Sequence, residues 1–180
     1  MKLGKRKCKQ CSKVFQKTAP LNSVCSIACA IERSYSLNKV KREREEKQDT
    51  KERKTSLLTH KDYIKMLQTV FNTYIRIRDK DLPCVSCGRN NVEEFHAGHY
   101  IATTYQYHRF NESNVWKQCS QCNTHLRGNL IPYRLELIKR IGLEQVEHIE
   151  NTRHIPLLMS IPEIMDKIKE YKSKTKELKK

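Results

Sequence analysis

The segment from residue 84 to residue 125 concentrates the residue types that bind metals and transfer protons. Two Cys-x-x-Cys pairs, Cys84/Cys87 and Cys119/Cys122, are separated by 31 residues. Each short pair presents two sulfurs to one ion, and four thiolates are a typical ligand set for a tetrahedral structural zinc. We therefore predict that these four cysteines bind one Zn²⁺ and tie together the two ends of the segment.

Polar side chains between and just after these pairs suit a second, catalytic site. Hydrolysis of a phosphodiester needs a base that activates water, a divalent ion that neutralises developing charge, and a group that orients the base. Histidine suits the base because its pKa lies near neutrality, and imidazole and oxygen ligands suit Mg²⁺ or Mn²⁺. The candidates that could meet at one point are His99, Asn114, and either Asn123 or His125.

A second set of four cysteines lies near the start of the chain. Cys8, Cys11, Cys25 and Cys29 form two close pairs, and a module of this length cannot bury much apolar area without a metal. We predict a second zinc here, in either a nucleic-acid-binding finger or a structural knuckle that caps the next helix. Because all eight cysteines are in close pairs and no apolar run follows the basic first residues, we expect reduced thiols in the cytoplasm.

The charge of the chain predicts a polyanionic partner. Its 36 Lys and Arg outweigh 20 Asp and Glu, which gives a formal net charge of +16. Nucleic acid is favoured over an acidic membrane because no segment combines a basic face with Trp or Phe, and no stretch is apolar enough to cross a bilayer. Near the central segment, Arg109, Lys117 and Arg127 are candidates for contacts with phosphates, although they could also be ordinary surface charges.

The spacing of apolar residues and the residues that begin or end helices predict an α+β protein in four parts. Residues 1–30 are the zinc-binding module, and residues 31–58 are a highly charged spacer that is helical or partly disordered. Residues 59–155 begin with an amphipathic helix over 62–79 and continue with a strand-prone segment at 92–104, a strand at 115–118 and a helix from 119 to 125. Residues 156–180 contain a last helix, which begins at a capping box from Ser160 to Glu163.

The order of strand, loop, strand and helix around these polar residues is similar to an HNH (ββα-metal) nuclease. Four blocks extend the match, and together they resemble the NinG (Rap) family of phage recombination endonucleases over nearly the whole chain. The blocks are Ala97-Gly-His-Tyr100, Arg109-Phe-Asn-Glu-Ser-Asn114, Lys117-Gln-Cys-Ser-Gln-Cys-Asn-Thr-His125 and Gly128-Asn-Leu-Ile-Pro-Tyr-Arg134.

This resemblance implies a metal-dependent, structure-specific endonuclease for branched DNA such as Holliday junctions and D-loops, in the cytoplasm of the phage host. His99 takes the position of the general base, and Asn114 takes that of the asparagine that fixes the hairpin loop. Asn123 takes the third position, although His125 is an alternative that the sequence leaves open. We also expect a homodimer on DNA, because a four-way junction has nearly two-fold symmetry.

One position departs from the HNH pattern. Gly98 stands where an acidic metal ligand often precedes the catalytic histidine. His96 could supply the ligand instead, together with Asn123 or His125. His96 is three residues before His99, which is out of phase for one strand face unless Gly98 marks a bulge.

Two other functions are compatible with parts of the pattern. A non-catalytic zinc-finger protein that binds DNA would account for the charge and the cysteines but not for His99, Asn114 and Asn123. An HNH restriction or homing endonuclease would account for all of them but would cut intact duplex DNA.

Overall fold

The computed structural model describes residues 4–180, and the chain divides into two compact units after Leu58. Each unit combines helix with one small antiparallel sheet of two strands, and each contains one cluster of four cysteines. The predicted α+β class is therefore confirmed. No helix among residues 4–180 has the length and apolar character required to cross a membrane.

The first unit is a small hairpin followed by a long helix. Strand β1 (Lys5–Lys7) pairs antiparallel with strand β2 (Val14–Gln16), and helix α1 spans Ile27–Ser56. The Ser26 side chain caps α1 by accepting a hydrogen bond from the amide of Cys29. None of the 30 residues of α1 is buried, so local hydrogen bonds and surface pairs stabilise this helix rather than a packed core.

The second unit is built on two packed helices. Helix α2 spans His60–Arg78 and helix α5 spans Ile161–Glu177. Both begin with the reciprocal hydrogen bonds of a capping box, which confirms the one predicted at Ser160. Their shared core comprises buried residues of α2 (Leu67, Phe71, Tyr74 and Ile75) and of α5 (Ile164, Ile168 and Tyr171).

A hairpin lies against these helices. Strand β3 (Phe95–His99) pairs antiparallel with strand β4 (Val115–Cys119) in an uninterrupted register, with His96 opposite Gln118 and Gly98 opposite Trp116. Ala97 belongs to the core of α2 and α5. Because side chains alternate along a strand, His96, Gly98 and Gln118 lie on the other face.

The segment after β4 differs from the predicted helix. Residues Gln121–His125 form a single π-helical turn, and the next regular helices are α3 (Leu130–Ile141) and α4 (Leu143–Asn151). Three consecutive residues between the π-helical turn and α3 have positive φ: Arg127, Gly128 and Asn129. This backbone conformation changes the direction of the chain before α3 begins. A second core packs against Trp116, on the face of the hairpin opposite Ala97. It consists of Val85, Tyr100, Ile101, Tyr133, Leu137, Val146 and Ile149.

Candidate metal centre and histidine site

The four cysteines of the second unit have the geometry of a tetrahedral metal site. Their Sγ atoms all lie within 4.8 Å of one another, and the Cys87 and Cys119 sulfurs are 3.8 Å apart. Zinc–sulfur bonds of about 2.3 Å in a tetrahedron place sulfurs about 3.8 Å apart. Cys84, Cys119 and Cys122 are buried, so this cluster could hold one zinc beneath the β3–β4 hairpin.

Hydrogen-bond donors around the cluster favour the thiolate form that binds metal. The amide of Cys119 donates to Cys84 Sγ at 3.3 Å, and the Arg89 guanidinium donates to Cys87 Sγ at 3.5 Å. Burial acts to raise the pKa of Cys87, but hydrogen bonds from Arg89, Cys84 and Cys122 together outweigh it and the pKa falls to about 6. At Cys84 and Cys122 burial prevails and the pKa is raised. Asn129 adds a donor to Cys122 Sγ at 3.4 Å.

The cysteines of the first unit also come together. Cys25 Sγ lies 3.5 Å from Cys11 Sγ and 3.6 Å from Cys29 Sγ, and Cys8 completes the cluster. The amides of Gln10 and Cys25 both donate to Cys8 Sγ at 3.4 Å. This cluster could therefore hold a second metal ion, as predicted.

His99 is fixed by a backbone contact at the end of β3. Its Nε2 lies 3.0 Å from the carbonyl oxygen of Arg109. A proton on Nε2 would donate to that oxygen, so Nδ1 would carry the lone pair of the neutral ring. The backbone of Ala97 also contacts the ring. Burial lowers the pKa of His99 below its ordinary value of 6.5, so the ring is neutral at pH 7.

The lowered pKa of His99 predicts how stability depends on pH. The unfolded chain takes up this proton more readily, so the contribution of His99 to stability is present above about pH 6.5 and is lost as the pH falls through its depressed folded pKa. We expect NMR titration to give His99 a pKa below 6.5. The loss of stability below pH 6.5 should be smaller in His99→Gln, and an equal loss in both proteins would contradict the assignment.

Asn114 fixes the loop that joins the two strands. Its side chain is fully buried and accepts a hydrogen bond from the amide of Ile101 at 2.8 Å. The same side chain donates to the carbonyl oxygens of Ile101 and His108, at 3.1 and 3.0 Å. Asn114 therefore shapes the loop whose residue Arg109 contacts His99, and it is not positioned to contact a substrate.

His96 and Asn123 are in direct contact on the face of the hairpin opposite to His99. The amide nitrogen of Asn123 lies 3.1 Å from Nδ1 of His96, and the Glu94 carboxylate lies 3.1 Å from Nε2. The Asn123 amide nitrogen is placed to donate to the lone pair of Nδ1, and a proton on Nε2 would donate to the Glu94 carboxylate. Both nitrogens of His96 therefore have partners within the protein, and a metal ion could bind at Nδ1 only if Asn123 turned its amide oxygen toward the ion.

The structure does not bring all the predicted catalytic residues to one point. His99 and His96 lie on opposite faces because the register of β3 has no bulge at Gly98. His125 is exposed on the π-helical turn. Asn123 contacts His96, on the face opposite His99, so the choice between Asn123 and His125 as the third catalytic residue stays a prediction.

The three predicted contacts with phosphates have different environments. Lys117 is only 6% exposed, and its ammonium donates to the carbonyl oxygen of Lys80 at 2.8 Å, so we correct its role to a structural one. Arg109 is partly buried and donates to Gln68 at 2.6 Å. Arg127 is exposed and remains a candidate.

The sequence pattern did not identify two residues that the structure places beside His96, Glu94 and Gln118. Glu94 is two residues before His96, a spacing that places both on one face of an extended chain. Gln118 is opposite His96 in the hairpin, which only the pairing register reveals.

The fold and its two cysteine clusters define a small α+β protein with two candidate metal sites. Residues 1–180 match the family described as "NinG: Bacteriophage Lambda NinG protein". The chain therefore belongs to the NinG family, which confirms the resemblance seen in its sequence.

Relatives from several phages show how far the similarity extends. The chain is 37% identical over 194 aligned positions to Protein ninG of Escherichia phage lambda, an alignment that covers 98% of this chain and 95% of that protein. It is 36% identical over 167 positions to Protein ninG of Salmonella phage P22, with coverage of 83% and 82%. Protein ninG of Escherichia phage 933W is 47% identical over 109 positions, with coverage of 60% and 54%. No solved structure is significantly similar to the chain.

Proposed function

We propose that this protein is a metal-dependent endonuclease of the HNH type that cuts branched DNA. The observation that carries the proposal is the environment of His99, a neutral imidazole at a strand end whose Nε2 lies 3.0 Å from a backbone carbonyl oxygen. This arrangement suits a general base, because the other nitrogen can accept a proton from water. The buried Asn114 supports it by fixing the loop between the two strands, and the four-cysteine cluster fixes the other end of the hairpin, where Cys119 pairs with Phe95.

A divalent ion and the buried Asn114 would support the chemistry at His99. The ion, Mg²⁺ or Mn²⁺, would bind beside His99, and His96 and Asn123 are not assigned to it because they lie on the opposite face of the hairpin. The ion would supply positive charge to the phosphate and the leaving oxygen. Asn114 would keep the carbonyl oxygen of Arg109 in place through the loop, so that the tautomer of His99 stays suited to accept a proton.

The distribution of charge supports DNA as the partner. Residues 1–26 contain seven Lys and Arg and no Asp or Glu, whereas α1 contains nine basic and six acidic residues. The zinc-binding module is therefore the most strongly basic part of the first unit. We expect it to contact phosphates without reading sequence, so that affinity falls steeply as the salt concentration rises. Two copies acting together on one junction would produce paired cuts.

Cleavage of a labelled four-way junction tests this function, with a linear duplex of the same sequences as the control. Protein with both cysteine clusters loaded with zinc should cut the junction when Mg²⁺ or Mn²⁺ is added and should not cut without them. Binding without cleavage under every condition would identify a zinc-finger DNA-binding protein. Equal cutting of the linear duplex would identify an enzyme of the restriction type.

A further inference from the structure

Arg109 differs from the other partly buried arginines of the second unit, which number three. Each of those three donates to a carboxylate at 2.6–3.0 Å, in the pairs Arg78–Asp79, Arg134–Glu150 and Arg140–Glu136. Arg109 has no acidic partner within residues 4–180, and its Nε donates instead to the neutral amide oxygen of Gln68 at 2.6 Å. No carboxylate of the described chain therefore balances the positive charge of Arg109.

The carboxylate on the same loop is already engaged. Glu112 accepts hydrogen bonds from the hydroxyl of Tyr74 at 2.7 Å and from the ammonium of Lys174 at 2.8 Å. Burial without a counter-charge lowers the pKa of Arg109, because a partly desolvated cation is less stable. An anion from outside the chain would supply the missing charge.

The end of the Arg109 side chain is open to such an anion. The hydrogen bond to Gln68 uses only Nε, and within residues 4–180 the two Nη atoms donate to no protein group. Neither Nη atom is among the buried side-chain atoms that lack a partner there, so both are accessible to solvent. Two Nη atoms in one plane can donate together to two oxygens of one phosphate.

Helix α2 fixes the direction of this guanidinium. Gln68 Nε2 donates to Asn72 Oδ1 at 2.7 Å, one turn further along α2, and this bond turns Gln68 Oε1 toward Arg109. The guanidinium also lies beside the ring of Phe110, with Cζ 5.6 Å from the ring centroid. Arg109 is therefore held in place by a neutral pair of side chains on a regular helix.

The backbone of Arg109 places its charge next to His99. Its carbonyl oxygen lies 3.0 Å from His99 Nε2. Burial is the main cause of the lowered pKa of His99, and the positive charge of Arg109 lowers it further. An anion bound by this guanidinium would therefore lie close to the imidazole ring.

We propose, resting on the function proposed above, that the guanidinium of Arg109 binds the phosphate that is cut and that Gln68 positions it. As water attacks phosphorus, one proton passes to His99 and the bond to the leaving oxygen breaks. Arg109 makes and breaks no bond, and its Nη atoms stabilise the charge that grows on the non-bridging oxygens. A neutral amide suits residue 68, because a carboxylate there would hold the guanidinium but cancel its charge.

Single-turnover cleavage of a four-way junction by saturating, zinc-loaded protein with Mg²⁺ tests the role of Arg109. Arg109→Gln should cut about 10²–10³-fold more slowly, the usual effect of removing one donor to a developing oxyanion. Its Kd for the junction should rise only slightly, because the other phosphate contacts remain. Arg76→Gln is the matched control, since it removes an exposed arginine of α2 that donates to Thr73, and it should cut as the wild type does.

Two substitutions of Gln68 separate the effect of charge from that of structure. Gln68→Glu keeps the acceptor for Arg109 Nε but adds a negative charge, so cleavage should slow by about 10-fold or more. Gln68→Met removes the acceptor and leaves the charge of Arg109 intact, so cleavage should slow less. A purely structural role of Gln68 predicts the opposite order, because only Gln68→Glu retains the hydrogen bond.

The pKa of His99, measured by NMR titration, gives a readout that does not depend on cleavage. Arg109→Gln removes a positive charge beside the ring, so the pKa of His99 should rise relative to the wild type. Arg76→Gln should leave this pKa unchanged.

Several results would overturn the proposal and leave the proposed nuclease function intact. One is cleavage by Arg109→Gln within a few-fold of the wild type when His99→Ala is inactive. Another is an unchanged pKa of His99 in folded Arg109→Gln, and a third is slower cleavage by Gln68→Met than by Gln68→Glu. A wild type that cuts no junction with any metal ion would overturn the nuclease function and this inference together.

Discussion

Replacing His99 by alanine should reduce metal-dependent cleavage of a four-way junction by about 10²–10⁴-fold, the usual contribution of a general base. The reason is that His99 is held against the carbonyl oxygen of Arg109 with a lowered pKa, so its ring is neutral and ready to accept a proton at pH 7. Single-turnover cleavage with saturating protein is the appropriate measurement, because it separates the chemical step from binding. Binding of the junction should not change.

Two variants make this result specific. His99→Gln can still donate to the Arg109 carbonyl oxygen but cannot act as a base near pH 7, so it should be folded and as inactive as His99→Ala. His154→Ala removes an exposed histidine elsewhere and should cleave normally. Cleavage by His99→Gln within a few-fold of the wild type would exclude His99 as the base and would direct attention to His125.

Loss of one sulfur from the cluster of the second unit should unfold that unit. Cys122→Ser removes a fully buried ligand from a site whose four Sγ atoms lie within 4.8 Å of one another. A structural zinc contributes about 10–16 kcal/mol of apparent binding free energy in small domains, which is as large as the net stability of about 5–15 kcal/mol of most proteins. The zinc content should fall from two to one per chain, and the cooperative melting transition of residues 59–180 should disappear.

Cys11→Ser is the matched control, because it removes an exposed ligand from the other cluster. It should also lose one zinc but should keep the melting transition of the second unit. If Cys122→Ser loses its zinc and still melts cooperatively near the wild-type temperature, the hydrophobic cores stabilise this unit without the metal, and the structural role of the cluster would be wrong.

Apolar periodicity and capping residues were sufficient to predict the framework of the second unit. The stripe of α2 and the capping box of α5 are local signals, and the buried residues Leu67, Phe71, Ile164 and Ile168 follow them. The cysteine spacing likewise predicted both clusters, because the geometry of a metal restricts which residues can meet. These features depend on residues close in sequence or on one shared ion.

The arrangement of the candidate site could not be predicted in the same way. The faces of His96 and His99 depend on an uninterrupted register between β3 and β4, and a bulge at Gly98 would have placed both on one face. Lys117 was predicted to contact phosphate because its sequence gives no sign of its partners within the protein. Its amide donates to Asp79 and its ammonium to the carbonyl oxygen of Lys80, both contacts with residues 37 or 38 positions away.

The absence of buried residues from α1 has a consequence for the lifetime of the protein in a cell. Local opening of this helix exposes no buried core, so it costs only the hydrogen bonds and surface pairs of the turns involved. Proteases cut chains at segments that open in this way, and the nine Lys and Arg of α1 offer many sites to enzymes that prefer basic residues. Degradation would therefore begin in α1 and separate the basic cysteine-containing module from the unit that carries His99, and the folded second unit would lose most of the net positive charge of the chain.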